Sequence, residues 1–384
     1  MVDAVSLSQA LIRCRSVTPA DAGALAVVEE ALKPLGFVCH RLRFQAPGTE
    51  AVENLYARLG TKRPNFCFAG HSDVVPPGDE SLWRVPPFEG RIEKGMLHGR
   101  GAADMKSAVA AFAAAAADYL RTHAPIGSIS LLITGDEEGL AVNGTKAVLA
   151  WMKEHGERID HCLVGEPTAA ARAGDTLKIG RRGSMTFHFT ARGVQGHTAY
   201  PHRAVNPVPV LAKLVSLLQE PLDKGTAHFE PSTLVFTTFD VGNPANNVSP
   251  STARATANIR FNDAHTVESL TARMRKAADE AVGNSGVIID FETQVSGVSF
   301  LTEPGTYTAL LSETVTAVTG APPQFSTTGG TSDARFIKDH CPVAELGLSG
   351  ATMHKTDESV PVTEVERLAE IYRAILQRYF ESPP

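Results

Sequence analysis

The chain has 384 residues, 43% of them hydrophobic and 20% charged, with a formal charge of −6 at neutral pH. That length allows two or three domains with a sizeable core, in the composition range of soluble globular proteins. The interspersed charges leave no basic footprint for nucleic acid, and no apolar run approaches a membrane span, so neither partner class is expected.

The opening stretch MVDAVSLSQALIRCRSV mixes acidic and basic residues in an amphipathic pattern. It lacks the basic, apolar and cleavage regions of an export signal and reads as a first helix. Strands are expected at 37–44, 54–59, 65–69, 128–134 and 161–164, alternating with helical stretches up to about Gly165, which is an α/β pattern. The clearest helix is 106–120, dominated by alanine, with Val109, Phe112 and Leu120 adding bulk and no Gly or Pro. From Ser184 to Phe291 the order becomes β-α-β-β-α-β, with strands at 185–190, 233–241, 253–261 and 287–291 and helices at 207–218 and 267–282. This is the ferredoxin-like arrangement, which buries its own core and can stand as an inserted domain. After Glu292 the α/β pattern returns, with a helix at 306–319, strands at 324–327 and 343–346, and a last helix at 363–380. The expected architecture is therefore a discontinuous α/β catalytic domain, residues 1–178 and 293–384, interrupted by a lid domain, residues 179–292. Hinges near Ile179 and Thr293 would permit rigid-body closure over a cleft. There is no internal repeat, and no low-complexity tract beyond the alanine-rich helix.

The five cysteines, Cys14, Cys39, Cys67, Cys162 and Cys341, are odd in number and form no CxxC pair. Most have apolar neighbours, as small core residues do, which fits reduced thiols in a cytoplasmic protein.

Five polar groups follow apolar runs or open a helix. His71 and Asp73 follow 66–69, Asp104 precedes the alanine-rich helix, the pair Glu137 and Glu138 follows 128–133, Glu166 follows 161–164, and His354 lies near the C-terminus. Strand ends of this kind line the crevice of open α/β sheets, so residues scattered in sequence converge in space. Two adjacent carboxylates need a cation or a proton to be tolerated, and a mixed His and carboxylate set suits zinc better than magnesium. His71 and Asp73, two apart on an extended segment, point the same way, so Asp73 is placed to accept a hydrogen bond from the ring nitrogen that does not face the metal. Plainer roles stand beside these: a turn capping the strand before Pro76, an N-cap at Asp104, and a solvated loop at Glu137 and Glu138.

The blocks GHSDVVPPG, GRGAADMKS, TGDEEG, GEPT, GRRGS, GVQGHTAYP, GGTSDARF and MHKTDES run in order from residue 70 to residue 359. Through them the chain resembles the co-catalytic two-zinc deacylase and aminopeptidase family. The resemblance implies two zinc ions per subunit, replaceable by cobalt. Asp104 would bridge the ions, with His71 and Glu166 on one and Glu138 and His354 on the other. It makes Glu137 the general base. Water on zinc has its pKa lowered to about 7, and Glu137 would take its proton and return it to the leaving amine, so no nucleophilic Ser or Cys is required. It also makes the chain a homodimer in which His197 reaches the neighbouring subunit's site to stabilise the oxyanion. By its residue type alone, His197 is more often a surface-loop residue than a catalytic one.

Arg181, Arg182, Ser184, Asn246, Asn247, Arg260, Gly330 and Thr331 form a carboxylate-binding set, since Arg forks match carboxylates bidentately. The alternative is that several of these residues are hinge or surface groups. The implied reaction is hydrolysis of the amide of an N-succinyl diamino dicarboxylate, a small-molecule substrate. N-acetylornithine is the substrate of the nearest rival activity, and a catalytically silent binding or dimerisation scaffold is the alternative of another class. One departure is Gly350, where members of the resembled group carry Asn, so one hydrogen bond to substrate is expected to be missing.

Overall fold

The computed structural model describes residues 2–384. The chain forms two compact units: one comprises the sequence up to Ile179 together with Thr302–Ser326 and Ser332–Pro384, the other Gly180–Leu301 with Thr327–Thr331.

The first unit is built on an eight-stranded sheet in the order Val38–Phe44, Val52–Leu59, Ser128–Thr134, Asn65–His71, His161–Val164, Val343–Glu345, Thr176–Lys178, Gln324–Ser326. Its centre is parallel: Asn65–His71 pairs in register with both Ser128–Thr134 and His161–Val164. These two neighbours and the middle strand are almost wholly buried and read as continuous apolar runs, as strands covered on both faces do. The alanine-rich helix spans Lys106–Thr122 and packs on the C-terminal helix Val362–Glu381 and the first helix Ala4–Arg13. Alanine side chains let these helices approach closely, and the bulk is supplied by a ring cluster in which Phe112 stacks on Phe68 at 4.4 Å and meets Tyr372 edge-on at 5.8 Å.

The second unit contains a four-stranded antiparallel sheet in the order Thr233–Asp240, Thr252–Phe261, Gly183–Arg192, Ile288–Gly297. Two helices, Pro207–Leu217 and Val267–Val282, cover one face, giving the β-α-β-β-α-β order read from the sequence. Phe187, Phe189, Ile259, Leu211, Leu214, Leu270 and Met274 fill the space between. Thr266 and Ser269 form a reciprocal capping box that starts the second helix. The crossing back to the first unit comes after Leu301, later than the expected Thr293. The last strand runs on to Gly297, and Phe300–Leu301 then pairs with Gly180–Arg181. No helix among the described residues is long and apolar enough to cross a membrane.

Candidate metal centre

The three central parallel strands end side by side. His71 closes Asn65–His71, Glu137 and Glu138 lie just beyond Ser128–Thr134, and Glu166 just beyond His161–Val164. Asp104 comes in from the start of the alanine-rich helix. The N-cap residue there is Met105, with no side-chain cap, so Asp104 does not take the capping role. Its Oδ1 instead lies 3.1 Å from His71 Nε2 and its Oδ2 3.3 Å from His354 Nε2. His71 Nε2 is also 3.6 Å from Glu166 Oε1, and His354 Nε2 is 2.9 Å from Glu138 Oε1.

Two groups of three therefore share one residue. His71, Asp104 and Glu166 form one and Asp104, Glu138 and His354 the other, the potential donor atoms of each lying within 4.8 Å of one another. Imidazole nitrogen with carboxylate oxygen is a donor set that suits zinc, and a carboxylate with one oxygen in each group can serve two ions at once. The electrostatics point the same way. Burial opposes charge on His71, but Asp104, Glu166 and Asp73 outweigh it and hold the imidazole proton well above its ordinary range. Hydrogen bonds to Asp104 and Glu138 raise His354 to about 10. Burial pushes the Asp104 carboxyl up, yet its bonds to His354 and His71 win and hold it below the usual carboxylate range. Protons drawn onto both imidazoles mark a site short of positive charge, which a divalent cation would supply.

The Asp73 carboxylate does not take the bond expected for it. His71 Nδ1 donates to the Asp73 carbonyl oxygen at 2.9 Å, while the carboxylate oxygen is 3.7 Å from that nitrogen. The carboxylate is occupied by the turn after the neighbouring strand, accepting the backbone amides of Glu137 at 3.4 Å and Glu138 at 3.1 Å. Asp73 thus fixes both the ring through its backbone and the Glu137-Glu138 turn through its side chain. Asp136, which sequence reading passed over, secures the rest of that turn by accepting the amides of Leu140, Val142 and Asn143 at 2.8 to 3.1 Å. Its signal was present in TGDEEG: a carboxylate at the start of a turn serves its free amides. Glu137 itself makes neither of the two metal-holding groups. Burial, then Glu166, Asp333 and Glu138, push its carboxyl well above the ordinary range, against the opposing pull of His71. A carboxyl so placed holds a proton more readily than an exposed one.

The other expected site residues all belong to the second unit. His197 is exposed and pairs with Val248 across a two-residue bridge; its Nδ1 accepts the Ala199 amide at 3.1 Å, which leaves the ring proton on Nε2. Asn247 lies beside it, its carbonyl accepting the Thr198 amide at 3.0 Å, and Asn246 and Asn247 are both exposed. Elsewhere in the unit Ser184 stands opposite Arg260 in the sheet. Asn258, missed in the sequence, links them: its side chain donates to Ser184 Oγ at 3.4 Å and accepts from Arg260 Nε at 3.1 Å. Burial and then the charge of Arg182 lower the Arg260 pKa, so these two guanidinium groups are close enough to repel. Arg181 donates to the Gly330 carbonyl at 3.1 Å, and Thr331 follows in the same segment. At Gly350, in the first unit, a Cβ would meet the Met353 sulfur at 2.9 Å, so Met353 fills the space a side chain would use.

Residues 67–378 match the profile of Peptidase family M20/M25/M40. The chain is 60% identical over 380 residues to a succinyl-diaminopimelate desuccinylase of Rhodospirillum centenum, covering 98% of this chain and 97% of that one. Among solved structures it resembles aminopeptidase PepT from Bacillus cereus, with a TM-score of 0.81 at 20% identity, covering 98% of this chain and 97% of that one. It also resembles the Bacillus subtilis YXEP protein, described as a dinuclear metal-binding peptidase of the M20 family, with a TM-score of 0.70 at 16% identity over 98% of this chain and 99% of that one.

Proposed function

The chain belongs to peptidase family M20/M25/M40, and from that premise we propose that it hydrolyses the amide of N-succinyl-L,L-2,6-diaminopimelate to succinate and L,L-diaminopimelate, a step of lysine and diaminopimelate biosynthesis. The reading of the substrate rests on the relative that is 60% identical over nearly the whole of both chains. The observation that carries the chemistry is Asp104, with one carboxylate oxygen against His71 and the other against His354.

His71, Asp104 and Glu166 would hold one zinc ion and Asp104, Glu138 and His354 a second, with cobalt able to replace either. Zinc, when bound, supplies Lewis acidity, acidifying water and polarising the amide carbonyl. Glu137 takes a proton from the attacking water and returns it to the leaving amine, for which its raised proton affinity suits it. Asp73 and Asp136 keep Glu137 aimed by holding the amides of its turn. The second unit serves as a lid and dimerisation domain. Its Arg181, Arg182, Ser184 and Arg260, with Asn246, Asn247, Gly330 and Thr331, hold the carboxylates of the substrate. Arg182 and Arg260 repel each other until an anion lies between them, which favours a doubly charged substrate. The protein works in the cytoplasm.

The direct test strips the purified protein of metal, titrates it with zinc, and follows hydrolysis of N-succinyl-L,L-diaminopimelate beside N-acetylornithine. Zinc-dependent turnover of the succinyl compound is expected. Preference for acetylornithine would overturn the pocket assignment, and no turnover of either at full zinc occupancy would end the hydrolase reading.

His197 of the partner subunit, with its proton on Nε2, stabilises the oxyanion across a homodimer. Mixing His197→Ala with Glu137→Ala subunits should then restore about a quarter of wild-type turnover at equal proportions, since half the dimers are mixed and each has one complete site. Mixed dimers isolated with two different affinity tags and found inactive would place the histidine's action within one chain.

A further inference from the structure

Arg100 and Glu358 form an ion pair at 2.7 Å with 2% and 0% exposure, and neither residue belongs to the metal-holding groups or to the substrate set. We propose that this pair is the positioning device of the Asp104, Glu138 and His354 group, locking together the two loops that deliver Asp104 and His354. The proposal rests on the metal-centre reading above.

The bonds run from donors in the Asp104 loop to acceptors in the His354 loop. Glu358 Oε1 accepts the amides of Ala103 at 2.8 Å and Asp104 at 3.2 Å, fixing the backbone from which Asp104 projects. Glu358 Oε2 accepts from Arg100, and the same guanidinium nitrogen donates to the carbonyl of Lys355 at 3.3 Å, next to His354. The Glu358 carbonyl accepts the Gly99 amide at 2.9 Å, and the Arg100 guanidinium lies 5.2 Å over the Trp83 ring. One charge pair therefore holds the residue before His71's partner carboxylate and the residue after the second histidine.

The His354 loop needs such a hold. His354 and Asp357 both have φ of 61°, left-handed backbone that side chains other than Gly adopt at a cost and keep only where the surroundings over-determine it. Asp357 is tied by the Arg84 amide and Nε at 2.8 and 2.7 Å, and Thr352 closes the loop on Ser359 at 2.8 Å. Stability alone is a weak reason for the pair, because a buried ion pair can often be replaced by apolar groups without loss. What an apolar pair could not supply is an acceptor for two amides and a donor to a third residue's carbonyl.

The test is a calorimetric zinc titration of the full metal-stripped chain, with thermal melting of the metal-free protein measured beside it. The double variant Arg100→Met with Glu358→Leu leaves no buried charge unpaired. It leaves the Ala103 and Asp104 amides without their acceptor, so it is expected to fold with a somewhat lowered melting temperature, and to weaken by about 10- to 100-fold the zinc step that His354→Ala abolishes while leaving the other step nearly unchanged. Glu358→Gln retains an oxygen for the two amides and should fall between; it also serves if the double variant does not fold. Two zinc steps of wild-type affinity in a folded variant, or equal weakening of both together with a lowered melting temperature, would overturn the proposal. A wild-type chain that takes up no zinc would overturn the metal-centre reading itself.

Discussion

Glu137→Gln is expected to take up zinc as the wild type does and to lose about 100- to 10,000-fold in kcat, the range that a positioned general base contributes. The substitution keeps shape and removes only the capacity to accept a proton. Metal uptake should survive because Glu137 is not among the side chains of either three-residue group. Its backbone remains held, since the Asp73 carboxylate binds the amides of residues 137 and 138 and not their side chains. Single-turnover hydrolysis of the succinyl substrate, run beside a zinc titration, separates the two effects. Turnover within a few-fold of wild type would remove Glu137 from the chemistry, and loss of zinc would make it a ligand.

The second large effect is expected at Asp104. Asp104→Ala should weaken both zinc steps by more than about 100-fold, exceeding the usual cost of losing a residue that only supports a ligand, and hydrolysis should fall to background. No other residue appears in both groups, so no other single substitution should remove both ions; His354→Ala, by contrast, should remove one. Proton release gives an independent reading. Without metal, His354 keeps its proton up to about pH 10 through its bonds to Asp104 and Glu138. A metal at Nε2 must displace that proton, so zinc uptake at pH 7 should release protons and strengthen as pH rises toward 10. Titrations in buffers of different ionisation enthalpy measure the release directly. Two tight zinc steps in Asp104→Ala would refute the bridging role.

Much of this architecture was legible because local signals and burial agreed. The helix Val267–Val282 has the bounds its sequence pattern predicts, with Thr266 before it, Ser269 in its first turn and Gly283 after it. The buried central strands stood out as unbroken apolar runs, and the polar residues just beyond them proved to be the ones that converge. Where the reading stopped short, the decisive contact was distant in sequence or the pattern carried no period. The strand from Ile288 continues through Glu292, Thr293, Gln294 and Val295, largely exposed, so no alternation marks its extent and the crossing falls later than the pattern predicts. The role of Asp73 depends on amides more than sixty residues away, and that of Glu358 on amides in the Asp104 loop. Neither pairing leaves a trace in spacing. Asp73 lies in GHSDVVPPG and Glu358 in MHKTDES, yet a motif marks a position without saying which neighbour it serves.

The sheet order also dictates a timetable for biogenesis. The strand Val343–Glu345 lies between His161–Val164 and Thr176–Lys178, strands made long before it. A nascent chain must therefore keep the free side of His161–Val164 unpaired while the whole of Gly180–Leu301, a unit with its own core, is synthesised and is free to fold. His354 emerges later still. The second metal-holding group is consequently assembled only when translation is nearly finished, so a truncated product ending before residue 343 would have both an incomplete centre and an exposed central strand, a natural target for chaperones and proteases.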